Sequence, residues 1–169
     1  MTWLDFTDRI VDFRAITKQK GWQSQAVLML SHVDYSVTVI EAFSTYWVEA
    51  GHHIRAQIDD DLILLRLLRH LLPRYNGQAI ELFRGENRAR WASKAIGLAW
   101  TPSREIARMF GRGLNAVNSG GVLLRAWFEP EAIVAGPNAH STHLGESQFT
   151  VDPSLSAQIE ALEFFPPIN

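Results

Sequence analysis

The sequence predicts an α+β protein: a helical N-terminal half packed on a mixed, mainly antiparallel β-sheet. Two observations carry this. Up to about residue 76 the apolar residues recur at near-helical spacing, and beyond Gly77 they gather into short strand-like runs. Those runs are punctuated by Gly111, Gly113, Gly120 and Gly121 and by turn residues rather than by long polar stretches. The linker at Gly77 is too short to separate two independent bodies, so residues 1–169 read as one domain, helical over residues 1–76 and β-rich over residues 77–169.

In the helical half, Leu4, Phe6, Ile10, Phe13 and Ile16 mark an amphipathic helix that Gly21 interrupts. Residues 23–58 read as a long helical stretch broken at or near Gly51. Asp59, Asp60 and Asp61 form a charged N-cap for the helix DLILLRLLRHLL, where acids suit the positive end of the dipole. Pro73 and the Asn76-Gly77 pair end it. These helices are expected either to cover one side of the sheet or to dock an antitoxin, the latter if Trp47, Ile54 and Ile58 form an exposed apolar stripe.

In the β-rich half, residues 79–85 form a strand that ends in Arg84 and Gly85, and residues 87–96 a short helix. Residues 97–103 form a strand that leads through the Ser103 cap into a helix reaching about Phe110. GVLLRAWFEP, AIVAG and ESQFTVDP read as further strands, with a last strand or helical turn in residues 157–165.

Composition narrows the class. A 47% apolar and 20% charged chain with net charge −2 is an ordinary globular protein without a general basic excess. There is no cysteine, which excludes disulfides and thiolate zinc sites and fits a reducing compartment. The N-terminus carries acids early and lacks the basic start and apolar block of a signal peptide. The longest apolar run, residues 62–72, contains Arg66, Arg69 and His70 and is too short and too charged to span a membrane. A cytoplasmic protein with no membrane partner is expected. The histidines form no convincing ligand spacing, so no metal is expected.

Several polar residues sit where strands end. Arg84, at the mouth of an apolar strand, can fork onto two phosphate oxygens, and Gly85 beside it lets a ligand approach the backbone. Thr101 can orient a neighbouring carboxylate; Ser103 can do so too, or cap the helix that follows. In ESQFTV, strand alternation sets Glu146, Gln148 and Thr150 on one face and Phe149 and Val151 on the other. Each of these residues alone also fits a plain structural role: a surface arginine, a helix cap, a solvated strand face.

LFRGE, then AWTPSREIARMFG, then VLLRAWFEPEAIVAG, then LGESQFTVDP resemble, in that order, the ADP-ribosyltransferase superfamily. The resemblance is to the branch marked by an arginine, a Ser/Thr-containing strand and a catalytic glutamate. It covers residues 79–153; the N-terminal helices match no family. It implies a sheet of the ADP-ribosyltransferase type and NAD as substrate. Arg84 would contact a phosphate of NAD or the ribose beside it. Thr101 would hold the catalytic acid and shape the nicotinamide pocket, with Gly85, Ser103 and the aromatic Phe110 also lining the cofactor site. Glu146 would be the first of the paired acids and orient the acceptor. Gln148 stands where the catalytic glutamate is expected: an amide keeps the hydrogen bond to the ribose but not the charge that offsets an oxocarbenium-like transition state.

Three explanations fit that departure. The chain is an inactivated copy of an active enzyme, which is the reading adopted; or a natural pseudoenzyme; or Glu146 is the working acid. The resemblance implies a toxin acting inside bacterial cells on a protein side chain or a nucleobase, with an antitoxin or immunity protein as partner. Arg88, Arg90, Lys94, Arg104, Arg108 and Arg112 lend support to a nucleic-acid acceptor, and equally fit solvated helix faces. The alternative function is an inactive module of the same fold that binds NAD or a protein.

Overall fold

The structure, a computed structural model, describes residues 11–156 and 158–169. The chain separates into two compact units between Arg74 and Tyr75, just ahead of the change of texture at Gly77. Among the described residues it is α+β, with seven α-helices and two three-stranded antiparallel sheets.

The first unit is helical: α1 (Phe13–Lys18), α2 (Trp22–Leu30), α3 (Val37–Ile58) and α4 (Asp61–Leu71). Of the amphipathic helix expected from Leu4 onward, only the portion from residue 11 lies within the described residues. Its aromatic residue Phe13 stacks on Trp22 and Tyr46 and meets Phe43 edge-on at 5.4 Å. Thr17 ties this group together: its hydroxyl donates to the Phe13 carbonyl and accepts from Trp22 Nε1 at 2.8 Å and from the Tyr46 hydroxyl at 2.7 Å. One donor and two acceptor sites is the full capacity of a hydroxyl.

The long stretch expected over residues 23–58 is two helices. α2 stops at Leu30, and Ser36 opens α3 by accepting from the Val39 amide. The break is made by hydroxyl caps, which carry a weaker sequence signal than glycine or proline. The second interruption falls where it was expected, as a kink at Ala50 beside Gly51, where the Trp47 ring lies against the glycine. Asp60 caps α4, accepting from Leu62 and Ile63, while Asp59 is left-handed and Asp61 forks with Arg55 at 2.7 and 2.8 Å.

Trp47, Ile54 and Ile58 are buried, not an exposed stripe, which removes the sequence argument for antitoxin docking on that face. Ile54→Ala is therefore expected to cost about 2–5 kcal/mol, in the range for large-to-small core changes. Urea denaturation measures it, and a loss well under 1 kcal/mol would show that this helix face is not packed.

The second unit contains β1 (Ile80–Asn87), α5 (Arg88–Ala92), β2 (Ala99–Trp100), α6 (Arg104–Arg112), β3 (Gly121–Phe128), β4 (Ile133–Ala135), α7 (Ala139–His143), β5 (Phe149–Val151) and β6 (Ile159–Phe165). One sheet runs β1-β3-β6 and the other β2-β5-β4. The two sheets touch through a bridge between Phe83 of β1 and Thr101, just past β2.

Alternation on β1 and β3 makes two cores. Leu82, Val122, Leu124, Ala126 and Phe128 pack with Trp100, Phe149 and Val151 on one face. Leu123 packs with Ala107 of α6 and Phe165 on the other, with Phe83 against them. Glycines let α6 lie directly on that second face: a Cβ at Gly85 would collide with the Ala107 carbonyl and the Gly111 amide, and one at Gly121 with the Gly111 carbonyl. α7 lies outside the elements expected from the sequence; Asn138 caps it by accepting from the Ser141 amide, and five residues are too few for a periodicity to show. No described helix is long and apolar enough to cross a membrane.

Candidate functional site

Strand period places Leu82, Arg84 and Glu86 on one face of β1, and Phe83 and Gly85 on the face beneath α6. Leu82 anchors the first face in the core. Arg84 and Glu86, two residues further along, then meet side by side: Arg84 Nε donates to Glu86 Oε2 at 2.7 Å. Arg84 Nη1 donates to the Ala99 carbonyl at 2.7 Å, tying β1 to β2 through a side chain.

Glu86 is 1% exposed and its carboxylate is surrounded by donors. Oε2 also accepts from the Gly97 amide at 2.7 Å, and Oε1 accepts from the Asn87 amide at 2.9 Å with Arg90 Nε at 3.5 Å. Burial alone would push this carboxyl up. The charge and hydrogen bond of Arg84, helped by the Gly97 and Asn87 amides, outweigh burial and hold it below its ordinary 4.5. The sequence reading passed over Glu86; the signal was present in the i, i+2 spacing of opposite charges on a strand.

Thr101 is buried, and its backbone exchanges two hydrogen bonds with Phe83, at 2.7 and 2.9 Å. Its hydroxyl accepts from the Ser103 amide at 3.1 Å, and Ser103 in turn caps α6 by accepting from the Ile106 amide. Both hydroxyls thus serve the turn into α6. Phe110 is half-buried on α6. Gly85 is buried against α6, so the close backbone approach assigned to a ligand is filled by the helix.

The strand expected over residues 146–151 is shorter than the sequence implies. β5 begins at Phe149, and Glu146 and Gln148 precede it in a loop. Gly145 and Ser147 both have positive φ, +76° and +44°, and the amides of Glu146 and Ser147 both return to the Ser141 carbonyl. A left-handed residue between them breaks the alternation, so Glu146 and Gln148 do not share a strand face. Thr150 is not on an open face either: Phe149, Thr150 and Val151 are all buried. Neither the Glu146 nor the Gln148 side chain forms an ion pair or hydrogen bond among the described residues.

Pairing sets the segments that carry the predicted residues beside one another. Phe83 bridges Thr101, and Trp100 lies opposite Phe149. The β2–β5 register ends at this pair, one residue before Thr101 and one after Gln148. Arg84, Thr101 and Gln148 thus come from neighbouring segments, but Thr101, paired with Phe83, lies on the α6 face of β1 and Arg84 on the opposite face, so the two side chains are not brought together. The basic residues are partly neutralised: Arg108 forks onto Glu163 at 2.8 Å through both Nε and Nη2. No described group of three or more His, Asp or Glu side chains could hold a metal ion.

Comparison with protein-family models, with curated proteins and with solved structures gives no match to this chain.

Two expectations follow from this geometry. Gly85→Ala forces α6 off β1 and costs about 1–3 kcal/mol or more, read as a lowered thermal midpoint. Glu86→Ala strands Arg84 and costs about 3–5 kcal/mol at neutral pH. The Glu86 carboxyl is lowered in the folded state, so its contribution is present above the ordinary 4.5 and lost as pH falls through the folded value. The stability gap between the native chain and Glu86→Ala should narrow as the pH is taken down from 4.5; a gap constant from neutral to acid pH would contradict the ion pair.

Proposed function

We propose that this chain has the fold of an ADP-ribosyltransferase and is a variant of an enzyme that transfers ADP-ribose from NAD to a macromolecular acceptor. The observation that carries the reading is the pairing of Phe83 with Thr101 and of Trp100 with Phe149. It sets the segments that carry the arginine, the hydroxyl residue and position 148 beside one another, and this adjacency supports the order the motifs suggested.

In this reading NAD is the substrate, and Arg84 meets one of its phosphates with the N–H groups that Glu86 and Ala99 leave over. Thr101 and residue 148 flank the nicotinamide ribose. Breaking the glycosidic bond expels neutral nicotinamide and leaves positive charge on the sugar, which a carboxylate at 148 stabilises and an amide does not. Glu146, in the loop before β5, serves the acceptor, taking its proton as the new bond forms. The acceptor is a protein side chain or a nucleobase. Action as a toxin within bacterial cytoplasm, held in check by an antitoxin or immunity protein, belongs to the same proposal.

Gln148 favours a second reading, a module that binds NAD or a protein without turnover. Gln148→Glu separates them. With labelled NAD and a bacterial lysate, the variant is expected to transfer label at least 10² to 10³ times faster than the native chain, the usual effect of one preorganised electrostatic group (about 2.7–4 kcal/mol). Splitting the lysate into protein and nucleic-acid fractions assigns the acceptor. NAD binding without transfer by the variant would support the module; no NAD binding by either chain would remove both NAD readings.

A further inference from the structure

We propose that Glu86 is the positioning residue of the NAD site, fixing the Arg84 fork so that its remaining N–H groups face a dinucleotide phosphate. This rests on the NAD reading above and names a member of the site that the motifs did not supply.

Arginine has five N–H groups in a rigid plane. Arg84 uses two of them inside the protein, Nε to Glu86 and one of Nη1 to Ala99. Those two bonds, on different edges of the plane, set its position and tilt. The other three N–H groups donate to no described residue. The Arg84 side chain keeps 16% of its surface open, against 1% for Glu86. The anchor is closed and the fork is partly open.

The anchor itself cannot swing. Its two oxygens take donors from Arg84, Gly97 and Asn87, two of them backbone amides fixed by the fold, and Arg90 adds an ion pair at 3.5 Å. Gly97 is a component of the same device, because a Cβ there would collide with Arg84 Nη2 and turn the guanidinium. Charge also suits an anion: one carboxylate lies between two guanidiniums, so the cluster keeps a net positive charge after the internal pair is counted. An arginine held in place before the ligand arrives loses less side-chain freedom on binding than one free on the surface.

A purely architectural ion pair would affect stability alone, so the test reads affinity. NAD binding is measured by calorimetry on the native chain, Glu86→Gln, Arg84→Ala and the double variant. Glu86→Gln keeps the shape and an acceptor for an amide but lets the fork turn. It is expected to weaken NAD about tenfold or more, equivalent to about 1.4 kcal/mol. In the Arg84→Ala background the same change is expected to move affinity by less than about twofold, because Glu86 acts through Arg84. If Glu86→Gln does not fold, Glu86→Asp serves in its place, since it keeps the charge and withdraws the carboxylate from Arg84. Native-like affinity in the folded Glu86 variant would overturn the positioning role and leave the NAD reading standing. Equal weakening by Glu86→Gln with and without Arg84 would also overturn it. Failure of both the native chain and Gln148→Glu to bind NAD would overturn the NAD reading, and the positioning role with it.

Discussion

The second unit depends on how closely α6 can lie on β1 and β3. Gly85, Gly111 and Gly121 come from three different elements and meet backbone against backbone, with no space for a Cβ at either strand position. Phe165 closes the group, its ring touching the space a Cβ on Gly111 would need. With α6 seated there, Phe83 and Gly85 of the odd-numbered face are covered, and Arg84 and Glu86 lie on the even-numbered face beyond Leu82. That is why Arg84 and Glu86 turn toward β2 and the segment before it rather than toward the helix. Side-chain size on one face of a strand thus decides the chemistry of the other.

The Arg84–Glu86 pair shows which force prevails at the seam. A carboxylate this buried is disfavoured as a charge, and one guanidinium seldom compensates for the lost water. Here two backbone amides contribute as well, and the net effect favours the charged form. The loop before β5 is built differently. Ser147 is left-handed, its amide and that of Glu146 donate back to the Ser141 carbonyl, and the side chains at 146 and 148 make no ion pairs or hydrogen bonds with described residues. Arg84 is thus fixed within the fold, while the side chains at 146 and 148 are not held by described residues.

Much of this architecture is legible in the sequence where one physical signal dominates. The Asp60 cap, the Ser103 cap, the strands around Arg84 and residues 121–128, and the interruption near Gly51 rest on capping chemistry, alternation or a missing side chain. Illegible were the features made by pairs of distant residues. The break at residues 31–36 uses serine caps where no glycine or proline stands. Gly85 reads as room for a ligand until the helix that fills the room is in view. The ESQ stretch alternates on paper, yet a serine in a left-handed conformation undoes the alternation, and serine carries no warning of that. Glu86 was hidden for a related reason: its importance lies in the Gly97 and Asn87 amides and in burial, none of which a motif records.

The order of strands also sets a timetable for synthesis. The helical unit is complete by Arg74 and can condense while the remainder is still in the ribosome. The β1-β3-β6 sheet cannot, because its outer strand and the Phe165 clamp belong to residues 159–165. Until those residues emerge, α6 lacks the ring that holds it down and the seam between the sheets lacks its support. A nascent chain therefore carries the separate pieces of the constellation without the assembled one, and gains it only as this final strand zips into place.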